Sequence, residues 1–218
     1  MFVRIWSRSK KIFSSFDGAH CPGMKALDLH DINPDFYAAS CHKWMLGPKG
    51  MAFLYINKDV IGEMNPVFAG AYTDKKFVLE EKLLEYKMEA SREEYGTRNT
   101  PLVMGLNAIL DFLNSIGIAK IEERGKNLAT YLKTGLKKIP GVEILTPDNP
   151  QYSASIVSFR ISGKKNLDIQ NVLSKDYHCR VRGIYEHGLN AIRISCHIYN
   201  NYEELDKLLE GVGFIAKG

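Results

Sequence analysis

The chain has 218 residues, enough for one sizeable core or for a compact region with a smaller second lobe. Apolar residues make up 45% and charged residues 25%, which excludes the polar, highly charged composition of a disordered chain. The net charge of +4 is spread among interspersed acids, with no basic stripe among aromatics, which argues against nucleic acid; nor does any run reach the about 18 apolar residues of a membrane span.

Residues 1–16, MFVRIWSRSKKIFSSF, are basic, Ser-containing and free of acids, a composition shared with organellar transit peptides. The segment runs straight into Asp17, so it is read as an atypical basic N-terminus of a cytoplasmic protein. Val3, Ile5 and Trp6 are broken by Arg4 and followed by the charged run from Arg8 to Lys11, so no apolar strand is expected here. Two short apolar runs follow, Asp35 to Ser40 and Met51 to Ile56, separated by the turn Gly47-Pro48-Lys49-Gly50. Both read as strands, the second buried on both faces. Residues 76–95 are charged and weakly patterned, and a surface connection is expected there.

From Thr100 the period becomes helical. Leu102, Leu106, Ile109, Leu110 and Leu113 recur at three- and four-residue steps, with Gly117 as the stop. A second helix carries Ile118, Ile121, Leu128, Tyr131, Leu132 and Leu136 on one face and ends at Pro140-Gly141. Val142 to Leu145, Ser155 to Ile161 and Ala191 to Cys196 read as strands, Leu167 to Ser174 and Tyr202 to Val212 as helices. This order predicts an α/β architecture, with a boundary between two lobes at residues 96–120.

The four cysteines, Cys21, Cys41, Cys179 and Cys196, form no CxxC pair and no metal-ligand spacing, and are expected to be reduced thiols of an intracellular protein. Four other stretches could carry chemistry. In Asp17-Gly18-Ala19-His20 a carboxylate sits at a bend, able to pair with a protonated ring nitrogen such as a pyridinium; a plain turn is the alternative. Ser40-Cys41-His42-Lys43 places a hydroxyl, an imidazole and an amine at a strand end, an anion-friendly group whose lysine could form a Schiff base or be an ordinary surface lysine. Tyr95-Gly96-Thr97-Arg98 precedes a helix, where amides and a hydroxyl could receive a phosphate or simply turn the chain. Arg193 is a charge inside an apolar strand, and it calls for a substrate carboxylate or a structural ion pair.

Taken together, DGAHCPGMKALDL, DFYAASCHKWMLGPKGMAFLYI, YGTRN and IRISCHIYNNYEELDKLL resemble the class V aminotransferases, members of the fold-type I pyridoxal phosphate enzymes. The motifs occur in the family's order over residues 17–213, with Asp17 and Lys43 separated by 26 positions. The resemblance implies pyridoxal 5'-phosphate as cofactor, with Asp17 at its ring nitrogen and His20 on the side of its ring oxygen. Lys43 would be the Schiff-base lysine and proton carrier, and Ser40 and His42 would bind the phosphate. Thr97 would reach the phosphate of the neighbouring subunit's cofactor in a homodimer, and Arg193 would hold the α-carboxylate of an amino-acid substrate.

Within the family the sequence is most similar to the isopenicillin N epimerase-like and cysteine desulfurase-like branch. A desulfurase needs a nucleophilic cysteine on the loop before the arginine strand. Gly183 to Asn190 has none, and Cys179 lies before the expected strand Arg180 to Arg182. Epimerase-like or lyase-like chemistry is therefore expected.

The family also carries a long N-terminal half ahead of the aspartate motif, whereas sixteen residues precede Asp17 here. The expected organisation is residues 1–16, a partial cofactor-binding large domain over 17–100, and a helical connection with the small C-terminal αβ domain over 101–218. Such a chain is a fragment of an active enzyme, a partner to a separate first half, or a non-catalytic remnant serving as a binding module. An unpaired sheet edge would leave it poorly soluble or oligomeric on its own.

Overall fold

The computed structural model describes residues 2–218, with side chains from Ile5 onward, and divides into two compact units, Met1–Ser115 and Ile116–Gly218. The first opens with α1 (Phe2–Ser9), followed by β1 (Ser15–Asp17), the single helical turn α2 (Leu29–Ile32), β2 (Phe36–Ser40) and β3 (Ala52–Ile56). These strands form one sheet in the order β1-β2-β3, the first pair parallel and the second antiparallel. Asp35 fixes the entry to β2. Its carboxylate is fully buried, accepts from the Ser14 amide and hydroxyl at 2.8 and 2.9 Å, and pairs with Arg8 at 2.8 Å. Arg8, which opens the N-terminal charged run, thus neutralises a buried acid.

Three expectations for this unit need correction. The N-terminal segment contains a helix and the first strand, because its apolar residues follow a helical period and the strand is only three residues long. β3 is not buried on both faces: Leu54 is 49% exposed, as befits an edge strand paired on one side. Residues 76–95 are not a plain connection but include most of a hairpin, β4 (Asp74–Val78) with β5 (Leu83–Tyr86). Neither face of this ribbon is covered, since Phe77 is 59% exposed, so charges and apolar residues occur on both sides and no alternation marks it. Arg92 anchors the segment after the hairpin, donating to the carbonyls of Ile61 at 2.8 Å and Met64 at 2.7 Å.

The long helices α3 (Thr100–Ile116) and α4 (Ile118–Leu136) are separated by Gly117, whose φ of 91° few other residues would adopt. The second unit continues with β6 (Val142–Ile144), β7 (Ile156–Ile161), α5 (Asn166–Lys175), β8 (Arg182–Ile184), β9 (Ala191–Ser195) and α6 (Tyr202–Lys217). Its sheet is antiparallel in the order β6-β7-β9-β8. Alternation along β7 sends Val157, Phe159 and Ile161 into a core with Leu128, Leu132 and Leu136 of α4, Leu173 of α5 and Leu208 of α6. α6 starts in a reciprocal cap, in which Asn201 Oδ1 accepts from the Glu204 amide at 2.8 Å and the Glu204 carboxylate accepts from the Asn201 amide at 3.2 Å. The strand expected at Arg180 to Arg182 begins instead at Arg182, where pairing with β9 starts opposite Arg193. Among the described residues no single helix is long and apolar enough to cross a membrane.

Candidate functional site

Because β1 and β2 are parallel, their C-terminal ends leave the sheet at the same edge, where ligands of α/β sheets commonly sit. Asp17 ends β1 opposite Ala38, and Ser40 ends β2 two residues further on. The exposed Asp17 carboxylate accepts the Ala19 amide at 3.0 Å and makes no salt bridge among the described residues. Gly18 follows, donating its amide to Ala38 at 2.7 Å. A Cβ on Gly18 would stand 2.0 Å from the ring of Tyr37, which is buried beneath the turn and stacked on Phe53. Burial first, and the Cys21 thiol second, push the Tyr37 phenol well above its ordinary range. Gly18→Ala is therefore expected to destabilise the first unit by about 1–3 kcal/mol through overpacking, read as a lower urea midpoint. Combining it with Tyr37→Ala should recover part of that loss.

Lys43 sits in a loop closed on itself. The Cys41 amide donates to Met51 O at 3.0 Å, the Gly47 amide to Cys41 O at 2.8 Å and the Leu46 amide to Lys43 O at 3.2 Å. The half-buried amine lies 3.5 Å from His20 Nε2, and the other imidazole nitrogen, Nδ1, accepts the Trp44 indole N–H at 2.9 Å. The turn carrying His20 is pressed onto this loop: at Gly23, with φ of 83°, a Cβ would meet the Trp44 carbonyl at 2.4 Å. Only the absence of a side chain permits that approach.

Of the residues singled out in the sequence, Lys43 and His20 are brought into contact, and Asp17 and Ser40 leave the same sheet edge. His42 is exposed on the lysine loop. Thr97 is also exposed, upstream of α3, and among the described residues it makes no hydrogen bond to the lysine group. Its neighbour Arg98 donates to Glu93 O at 3.2 Å and lies over the Tyr95 ring. Two contributors escaped the sequence reading, Tyr37 and Trp44. Both sit inside the quoted motifs; the adjacency of Trp44 to Lys43 in the sequence is the signal that could have found it, and no local signal marked Tyr37.

Arg193 belongs to the second unit, on β9 between Ser158 of β7 and Arg182 of β8. Its Nε is buried with no hydrogen-bond partner among the described residues. Burial first, and the neighbouring Arg182 second, pull its guanidinium below the usual range. Such a cation is stabilised by an incoming anion, and it lines a cavity of about 660 Å³ with Cys179, Arg182, Ser195, Tyr199 and Lys207. The β8–β9 loop is braced: Arg182 pairs with Glu186, and Asn190 donates to Lys164 O at 2.6 Å while accepting the Asn166 amide at 2.7 Å. Cys179 lies ahead of β8, with its thiol pushed up by burial.

By donor chemistry the residues present fit pyridoxal phosphate: a carboxylate without a salt bridge among the described residues, an imidazole and a half-buried amine lie around one sheet edge.

The family described as Aminotransferase class-V matches residues 2–208. A probable cysteine desulfurase of Methanothermobacter thermautotrophicus is 32% identical over 92% of this chain and 52% of its own length. An isopenicillin N epimerase of Amycolatopsis lactamdurans is 28% identical over 97% of this chain and 54% of its own. The apo cysteine desulfurase of Thermococcus onnurineus superposes with a TM-score of 0.86 at 27% identity, covering 97% of this chain and 54% of that one. The chain thus spans about half the length of the relatives it matches, and the likeness bears out the expected α/β fold as part of a fold-type I domain.

Proposed function

The chain belongs to the class V aminotransferase family of pyridoxal phosphate-dependent proteins, and on that footing we propose that it supplies the cofactor-bearing lysine and the substrate-binding arginine of an enzyme acting at the α-carbon of an amino acid. The observation that carries this reading is the half-buried Lys43 amine beside His20, on the sheet edge where the unpaired Asp17 also ends. Pyridoxal phosphate, when bound, supplies the electron sink that makes an α-carbanion accessible.

The residues of this chain do the rest. Asp17 binds the protonated ring nitrogen and keeps it charged. His20 donates to the ring oxygen, and Ser40 and His42 offer donors to the phosphate. Lys43 holds the cofactor and, once released by a substrate amine, carries a proton to or from Cα. Arg193 takes the α-carboxylate in its planar fork. Thr97, exposed and remote in contact from the lysine group, suits service to a second copy's cofactor phosphate in a homodimer.

Epimerase-like or lyase-like chemistry is favoured over persulfide formation. The β8–β9 loop is short, braced and free of cysteine, and burial of Cys179 works against a thiolate there. A second reading is a non-catalytic binding module. Titration with pyridoxal phosphate separates the two. The enzyme reading expects a visible absorbance band that saturates at one cofactor per chain, and a folded protein without any band supports the module.

A further inference from the structure

We propose that Trp44 is a positioning residue that acts through His20, fixing the imidazole as its Nε2–H tautomer so that a hydrogen-bond donor always faces Lys43. The argument rests on donor chemistry. An indole N–H can donate but never accept, so the imidazole nitrogen it meets at 2.9 Å, Nδ1, must hold a lone pair. In a neutral imidazole the single proton is then on Nε2, the atom 3.5 Å from Lys43 Nζ. A ring flipped about its long bond would bring a carbon toward the indole and lose that bond.

Trp44 is itself enclosed. It is 4% exposed, meets the imidazole edge-on with ring centroids 6.4 Å apart, and has its backbone covered by Gly23. The lysine and its orienting group are thereby linked through adjacent residues: Lys43 touches the imidazole on one side and Trp44 holds it from the other. An Nε2–H facing the lysine can hydrogen-bond Nζ only in its neutral form, through the lone pair, meets an ammonium donor to donor, and in neither form can take a proton from it. Proton traffic at Lys43 is thus directed away from His20. On the proposed function, on which this last role rests, the same N–H is aimed at the cofactor's ring oxygen.

The test is nitrogen-15 NMR on the full chain without cofactor, at about pH 8.5, well above the ordinary histidine value near 6.5. Wild-type protein should show His20 as a single Nε2–H tautomer, with a through-hydrogen-bond coupling between Trp44 Nε1 and His20 Nδ1. Trp44→Phe should abolish the coupling and introduce a resolvable Nδ1–H population, with the remaining amide spectrum unchanged. A wild-type His20 protonated at Nδ1, absence of the coupling, or a variant retaining the wild-type tautomer alone would each overturn the proposal. The coupling needs no variant, so it decides the matter even where Trp44→Phe does not fold. A wild-type protein that shows the lock yet gives no absorbance band with pyridoxal phosphate refutes the enzyme reading and leaves the tautomer assignment standing.

Discussion

Lys43→Ala is expected to remove the visible absorbance band of the protein loaded with pyridoxal phosphate, because the substitution deletes the amine that lies 3.5 Å from His20 Nε2. The cofactor would then be held only by non-covalent contacts and should wash out on desalting. Proton transfer at Cα should fall by about 10²–10⁴-fold, the usual contribution of a positioned acid–base group. The sensitive measurement is exchange of the substrate's α-proton for deuterium in heavy water, followed by proton NMR. Lys43→Arg separates charge from chemistry: it keeps a cation in the loop, yet should be as inactive as the alanine variant. A Lys43→Ala protein that retains the band would place the covalent site elsewhere. Lys49, exposed on the same loop, would then be the next residue to replace.

Phe159→Ala should have the largest effect on stability, about 3–5 kcal/mol. The ring is fully buried on β7, between partners on both sides of its sheet position, and its neighbours in the core come from α4, α5, β9 and α6. Removing it leaves a void that four elements would have to close at once. The loss should appear in the second unit, as a lower denaturant midpoint reported by near-ultraviolet dichroism of its tyrosines. A variant as stable as the wild type would mean that this core can collapse around the missing ring.

The second unit was legible in the sequence because its elements each bury one face. Helix periodicity from Ile118 to Leu136 and the apolar strands at Ser155 to Ile161 and Ala191 to Cys196 correspond to observed elements, as does α3 of the first unit with its stop at Gly117. Where the reading failed, burial was one-sided or missing. β3 and the β4–β5 hairpin lie open to solvent, so the constraint that writes a pattern into a strand is relaxed there. The N-terminal helix was hidden by Arg8, whose partner Asp35 lies 27 positions away and cannot be inferred from local charge.

The candidate site was legible as separate motifs and less so as a geometry. That Asp17 and Lys43 share an edge follows from the parallel pairing of β1 with β2, which no local pattern announces. Trp44 carried no visible role, because its partner His20 lies 24 positions earlier.

The close approach of Gly23 to the Trp44 backbone means that the aspartate turn and the lysine loop lack independent lives. With one loop seated on the other, neither can fluctuate outward without breaking the indole–imidazole bond and the contacts around it. Local opening of this region is accordingly a single cooperative event, involving two segments distant in sequence. Whatever the first unit binds at this edge therefore meets a surface already assembled, whose ordering was completed when the chain folded.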